Sequence, residues 1–182
     1  MQAWQVHEIG TAAVLQSIAD PQPSQGEALI KVAACGLNFA DLLMQQGRYQ
    51  EHPPLPYTPG MELAGTVLAL GPDTAGPPVG SRVAGFASYG GLAEYAVLPV
   101  DRLLLLPDSL DFDQAAAFQI AYGTSHLALH HKARLQPAET LLVLGAAGGV
   151  GLTAVEIGKR MGARVVACAR GPAKLEIARA AG

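Results

Sequence analysis

The residues that could do chemistry are concentrated between Leu141 and Gly151. Leu141–Leu144 is an apolar run long enough for one buried strand. It leads into Gly145, Ala146, Ala147, Gly148, Gly149, Val150 and Gly151. From there Val150, Ala154, Ile157 and Met161 recur at helical spacing, Gly162 stops the helix, and Arg164–Ala169 reads as a β-branched strand. Strand, glycine turn, helix and strand make a βαβ unit. Residues 146–151 follow the pattern A-x-G-x-x-G, with Ala146 where a glycine usually stands. In that context the chemistry is pyrophosphate binding. A bare Gly148 lets the backbone approach the phosphates, and Gly151 lets the helix pack on the strand. The helix N-terminus offers free N–H groups and partial positive charge.

The second strand ends in Ala167-Cys168-Ala169-Arg170, with Lys174 following and no carboxylate before Glu176. A dinucleotide site for NAD places an acid here, on the ribose 2′-hydroxyl. Arg170 and Lys174 instead favour a 2′-phosphate, which points to NADPH; the competing reading has both cations simply solvated. Half of the 182 residues are hydrophobic and 15% are charged, enough for a real core. A net charge of −3 with no basic cluster gives no reason to expect nucleic acid. Cys35 and Cys168 are too few for a disulfide framework and fit a reducing setting. With no signal peptide and no long apolar helix, the expectation is a cytoplasmic, soluble protein without a membrane partner. Only two strands follow residue 139, fewer than a dinucleotide fold needs, so the chain reads as truncated.

The elements before this unit have a different texture. Residues 1–110 are rich in Pro and Gly and carry short strand-like runs, at Ala3–Val6, Ala13–Ser17, Glu27–Ala34, Leu63–Leu70, Arg82–Phe86, Glu94–Val100 and Arg102–Leu106. Turn signals such as Asp20-Pro21 and Gly71-Pro72-Asp73 separate them. The spacing predicts a small, mostly antiparallel, barrel-like domain. One helix interrupts it, starting at Asn38 or Asp41 and stopped by Gly47. A second helix, capped by Asp111 or Asp113, is expected through Ala115 to His131 with a break at Gly123. The expected domains are residues 1–115 and 116–182.

Several local patterns occur in a fixed order: Ala34-Cys35-Gly36-Leu37-Asn38-Phe39-Ala40-Asp41, Gln46-Gly47-Arg48-Tyr49, Pro59-Gly60-Met61-Glu62-Leu63-Ala64-Gly65, Gly90-Gly91-Leu92-Ala93-Glu94-Tyr95, Tyr122-Gly123-Thr124-Ser125-His126, and Gly145–Gly151. Together they resemble the N-terminal portion of the zinc-free quinone oxidoreductase branch of the medium-chain dehydrogenase/reductase superfamily. The resemblance implies an α/β plus mostly-β fold: a GroES-like catalytic domain, then the first βαβ unit of a Rossmann domain. It implies hydride transfer from NADPH to a quinone or α,β-unsaturated carbonyl, and a homodimer when full length. Enoyl-thioester reduction and a non-catalytic, crystallin-like NADPH-binding role are the alternatives.

By the same resemblance Asn38, Asp41 and Tyr49 line a cleft beside the nicotinamide. Asn38 offers an amide donor to a cofactor hydroxyl or substrate carbonyl, Asp41 holds Asn38 or a polar group, and Tyr49 orients or protonates the substrate oxygen. Helix capping competes for Asn38 and Asp41, and loop packing competes for Tyr49. Thr124 matches the threonine that contacts the carboxamide, while Leu43 stands where the family often has a second tyrosine. Glu62 reads as structural, bracing the loop after Pro59. Zinc-dependent relatives place Cys at the position of Asn38 and His at that of Met61; neither Asn nor Met suits zinc, so no metal is expected. His126 and His130, at i and i+4, lack the glutamate of a metalloprotease helix and read as a solvated face.

Overall fold

The computed structural model describes residues 1–182. The chain forms two compact units, Met1–Gln119 and Ile120–Gly182. The division therefore falls after Gln119 rather than near residue 115.

The first unit is built on sheets. Strands β1 (Gln2–Gln5) and β2 (Val14–Ser17) pair antiparallel. Strands β3 (Glu27–Gly36), β4 (Glu62–Leu70), β5 (Arg82–Phe86), β6 (Tyr95–Pro99) and β7 (Leu103–Leu105) form one antiparallel sheet in the order β6-β3-β4-β5-β7. The sheet is strongly curled. A Cβ added to Gly85 on β5 would stand 2.6 Å from Leu98 of β6, although two strands separate them in the sheet, and 2.8 Å from Leu103 of β7. Period-2 alternation turns Ala28, Ile30, Val83, Ala96 and Leu98 into this curl, where they pack with Leu63, Val67 and Leu103. This is the barrel-like body expected from the turn spacing.

Two short helices decorate it. Helix α1 (Phe39–Gln45) has Asn38 as its N-cap. Met44 anchors it in a cluster with Val6 and Tyr57. Helix α2 (Phe112–Ala116) is capped by Asp111, whose Oδ1 accepts from the Gln114 N–H at 2.7 Å. Its Ala115 and Ala116 meet Ala64 and Ala84 of the sheet, an all-alanine seam that permits a close approach.

The single helix expected from Ala115 to His131 is therefore three pieces. Residues 117–120 break it after α2, and α3 (Ala121–His126) continues directly into a π-helical turn, Leu127–Lys132. Gly123 lies inside α3 and breaks nothing. The reason is divided loyalty: Ala115 and Ala116 belong to the core of the first unit, whereas Ser125 and Leu129 are buried in the second.

In the second unit β8 (Thr140–Leu144) and β9 (Arg164–Cys168) pair parallel, joined by α4 (Gly149–Arg160) and followed by α5 (Pro172–Ala181). Val143, Ala146, Val155 and Ala178 form its core, so α4 and α5 share one face of the two strands. Leu142, Leu144 and Val166 remain exposed. The buried positions of α4 are Thr153, Val155 and Gly158, not the expected stripe of Val150, Ala154, Ile157 and Met161; Val150 is 44% exposed. Helix α4 is gripped from two sides, by the strands and by α3, and this rotates its buried positions away from a single stripe. No helix is long and apolar enough to cross a membrane.

Candidate functional site

In the first unit the end of β3 delivers Leu37, Asn38 and α1 to a cleft of about 630 Å³. Trp4, Leu37, Phe39, Leu42, Pro59 and Leu92 give it mostly apolar walls, and Asn38, Asp41 and Gln45 are the polar residues among its lining. Leu37 and Phe39, 76% and 73% exposed, make its rim an open apolar one.

The polar groups beside the cleft are already joined. The Asn38 backbone N–H donates to Asp41 Oδ2 at 2.9 Å, and the Asn38 side-chain Nδ2 donates to Glu62 Oε1 at 2.8 Å. Asp41 Oδ1 accepts from the Gly60 N–H at 3.0 Å. Asp41 thus ties the first turn of α1 to the Gly60 turn, which has a left-handed φ of +103° and no room for a Cβ beside Cys35 Sγ. Burial pushes the Asp41 carboxyl above its ordinary range, against the opposing pull of N–H donors from Asn38, Gly60 and Met61. Cys35 lies close by, and burial together with the Asp41 and Glu62 carboxylates pushes its thiol up to about 12.

Of the residues expected to act here, Asn38 and Asp41 do meet in the cleft, with Asp41 bracing the backbone rather than presenting a free acid. Tyr49 does not join them. It is half-buried against the Val6–Met44–Tyr57 cluster and is not among the cleft-lining residues. Glu62, read from the sequence as a loop brace, is 3% exposed and holds the Asn38 amide. The signal for it was its strand position opposite Gly36, which only the pairing register reveals.

The second unit carries the glycine loop. Gly145 turns the chain out of β8 with φ +69°, the Ala146 N–H donates to the Cys168 carbonyl at 3.0 Å, and Gly148 leads into α4. The glycines divide into two kinds. A Cβ on Gly151 would stand 2.3 Å from the Gly145 carbonyl oxygen, so Gly151 is required by packing against the loop itself. The glycine that lets α4 meet the strands is Gly158, where a Cβ would lie 2.5 Å from Leu141 and 3.3 Å from Val165. Gly148, by contrast, has φ −84° and only an ordinary 3.4 Å contact for a Cβ, and Gly149 has open space. Nothing in the chain requires glycine at these two positions.

Ala147 is half-buried and Val150 exposed in this loop. Arg170 at the end of β9 and Lys174 in the first turn of α5 are exposed. Neither appears in any ion pair or hydrogen bond of the structure. Thr124 is exposed on α3. Nowhere are three His, Cys, Asp or Glu side chains placed to hold a metal ion; His126 and His130 stack with ring centroids 5.0 Å apart on an exposed face.

An open glycine loop at the mouth of a βαβ unit, beside unpaired cations and preceded by a curled β-sheet unit, is a specific combination, and comparison with known proteins agrees. Residues 24–108 match the alcohol dehydrogenase GroES-like domain. The chain is 38% identical over 172 residues to the mouse quinone oxidoreductase-like protein 2, covering 94% of this chain and 49% of that one. It is 40% identical over 173 residues to human quinone oxidoreductase, covering 93% and 53%. The solved quinone oxidoreductase of Thermus thermophilus, described also in its complex with NADPH, superposes with a TM-score of 0.87 at 38% identity, covering 99% of this chain and 57% of that one. The chain belongs to the quinone oxidoreductase branch of the medium-chain dehydrogenase/reductase superfamily. It spans about half the length of the curated relatives it matches. As a member of that branch it carries a GroES-like domain and the opening βαβ unit of a Rossmann domain.

Proposed function

We propose that the protein carrying this chain reduces a quinone or an α,β-unsaturated carbonyl with a hydride from NADPH, without a metal, in the cytoplasm and as a homodimer. The observation that carries the cofactor half of this reading is the pair Gly148 and Gly149 at the start of α4, where a Cβ would meet an ordinary 3.4 Å contact at Gly148 and nothing at Gly149. Backbone N–H groups at the start of α4 would take the pyrophosphate there. Arg170 and Lys174, free of partners, would take a 2′-phosphate, and a guanidinium suits that geometry best. Thr124 would hold the carboxamide. When bound, NADPH supplies the hydride.

The acceptor half rests on the apolar cleft. Leu37, Phe39, Leu42 and Trp4 would sandwich a flat, hydrophobic acceptor and exclude water, and Asn38 would hydrogen-bond its oxygen, where negative charge gathers during reduction. Asn38 and Met61 stand at positions that offer zinc no suitable ligand, so the acceptor must be one whose own conjugation spreads that charge. Tyr49, packed against Met44 and Tyr57, is a supporting wall rather than a proton donor.

The test is NADPH oxidation by the complete protein against a panel of quinones and enones, with NADH in parallel and a chelator in one series. Chelator-resistant turnover preferring NADPH is the expected result. Turnover that requires zinc would overturn the metal-free part. Tight NADPH binding with no turnover on any acceptor would overturn the reductase.

A further inference from the structure

Asn38 sits between two buried carboxylates. Its backbone N–H serves Asp41 and its side-chain amide serves Glu62, at 2.9 Å and 2.8 Å. Asp41 and Glu62 are 8% and 3% exposed, and both push the nearby Cys35 thiol in the same direction. Burying two acids side by side is costly unless each is well supplied with donors.

The fold makes a place for the second of them. Glu62 opens β4 and pairs with Gly36 at the end of β3. A Cβ on Gly36 would stand 2.6 Å from Glu62 Cγ, 2.7 Å from Glu62 Oε1 and 2.3 Å from the Ala116 carbonyl oxygen. A residue with any side chain at 36 would evict the carboxylate. Two residues further along, the chain leaves the strand and Asn38 caps α1 on the wall of the cleft. The register therefore brings a carboxylate against a polar cleft residue whose side-chain amide could lie either way.

An asparagine amide can present either its oxygen or its NH₂ with almost the same shape. A carboxylate only accepts, so it admits only the NH₂. We propose that Glu62 is a positioning residue: by accepting one N–H of Asn38 it fixes which way the amide lies, leaving the second N–H as the group Asn38 offers to a ligand in the cleft. Glu62 itself touches neither substrate nor cofactor. This rests on the reading of Asn38 as the hydrogen-bonding residue of the acceptor cleft.

Asn38 is the only asparagine in the sequence, so asparagine-selective ¹⁵N labelling gives a single side-chain NH₂ pair. In the wild-type chain one of its two protons is expected well downfield of the other and protected from solvent exchange. Glu62→Gln preserves the size of the side chain but can face Asn38 with either end of its amide. It should collapse the separation of the two protons and speed their exchange, while the backbone amide spectrum stays native. A wild-type pair that looks like free asparagine, or a Glu62→Gln pair identical to wild type, would overturn the inference, and the wild-type spectrum decides the first even if the variant folds poorly. In the complete enzyme Glu62→Gln should lower kcat by about tenfold, the worth of one hydrogen bond to a charged group. It should add nothing further in an Asn38→Ala background. Additive losses in that cycle would mean that Glu62 acts on the fold and not through Asn38. A complete protein with no reductase activity but the expected NMR behaviour would sink the proposed reaction and leave the positioning role intact.

Discussion

The two units treat their polar groups in opposite ways. Around the cleft of the first unit Asn38, Asp41, Glu62 and Gly60 are bonded to one another before any ligand arrives. Around the loop of the second unit Gly149 borders open space, Gly148 is under no steric demand, and Arg170 and Lys174 have no partner. The first arrangement commits its hydrogen bonds to geometry, which suits a group that must point one way during a reaction. The second holds them in reserve for a ligand with several negative charges. Substitutions in the first unit should therefore register in stability, and those in the second in affinity, with Gly151 as the exception that packing dictates.

That exception carries the largest effect. Gly151→Ala forces a Cβ to within 2.3 Å of a backbone oxygen, and the second unit should lose about 3 kcal/mol, the upper range for overpacking, measured by chemical denaturation. Asn38→Ala comes next. It takes the Asn38 donor away from the buried Glu62 carboxylate and should destabilise the first unit by about 2 kcal/mol in the same measurement. Gly148→Ala should leave stability within about 0.5 kcal/mol of wild type and weaken NADPH binding by about tenfold, read by fluorescence titration of the complete protein. An equal loss of stability in Gly148→Ala and Gly151→Ala would erase the distinction between the two glycines. Arg170→Ala should weaken NADPH by about fivefold while leaving NADH unchanged, a modest loss because the side chain is exposed.

The smallest effect concerns the two cysteines. Cys168 is exposed and should be alkylated in the native chain. Cys35 is held as a thiol because its folded pKa is pushed up to about 12 from an ordinary 9.0. The reactive thiolate is thus much scarcer than in an ordinary thiol at any pH below that value, and labelling between about pH 7 and pH 10 should stay far slower than in the unfolded chain. The linked stability has a definite sign: a raised folded pKa means the native state holds its proton longer, so this thiol begins to weigh against folding only as the pH climbs through 9 toward 12.

Much of this organisation was legible in the residues. The run Leu141–Leu144, the glycines after it and Gly162 located β8, α4 and its stop within a residue or two, because each signal is local: a strand-length apolar stretch, backbone freedom, a left-handed closing turn. Asn38 was readable as a cap for the same reason. What failed depends on partners distant in sequence. The buried face of α4 could not be read from one stripe, since Thr153 is claimed by Ser125 of α3 and Gly158 by Leu141 and Val165. The break at residues 117–120 carries no Gly or Pro and arises because the two ends of the segment join different cores. That Glu62 also holds the Asn38 amide emerges only from the β3–β4 register, which sets it opposite Gly36. Tyr49 kept its motif position but turned toward Met44 and Tyr57.

The strand order β6-β3-β4-β5-β7 has a consequence for how the first unit comes into being. The three central strands follow one another along the chain, but both borders of the sheet are supplied last, by β6 and then β7. During synthesis β3 must wait with one edge bare until Tyr95–Pro99 has emerged, and β5 until Leu103–Leu105 has. The Leu98 and Leu103 side chains that close over Gly85 arrive with those late strands, so the core cannot seal before them. Growth of the sheet is thus slow and non-local, and the nascent chain passes through a stage with two open edges, the stage at which it most needs a chaperone.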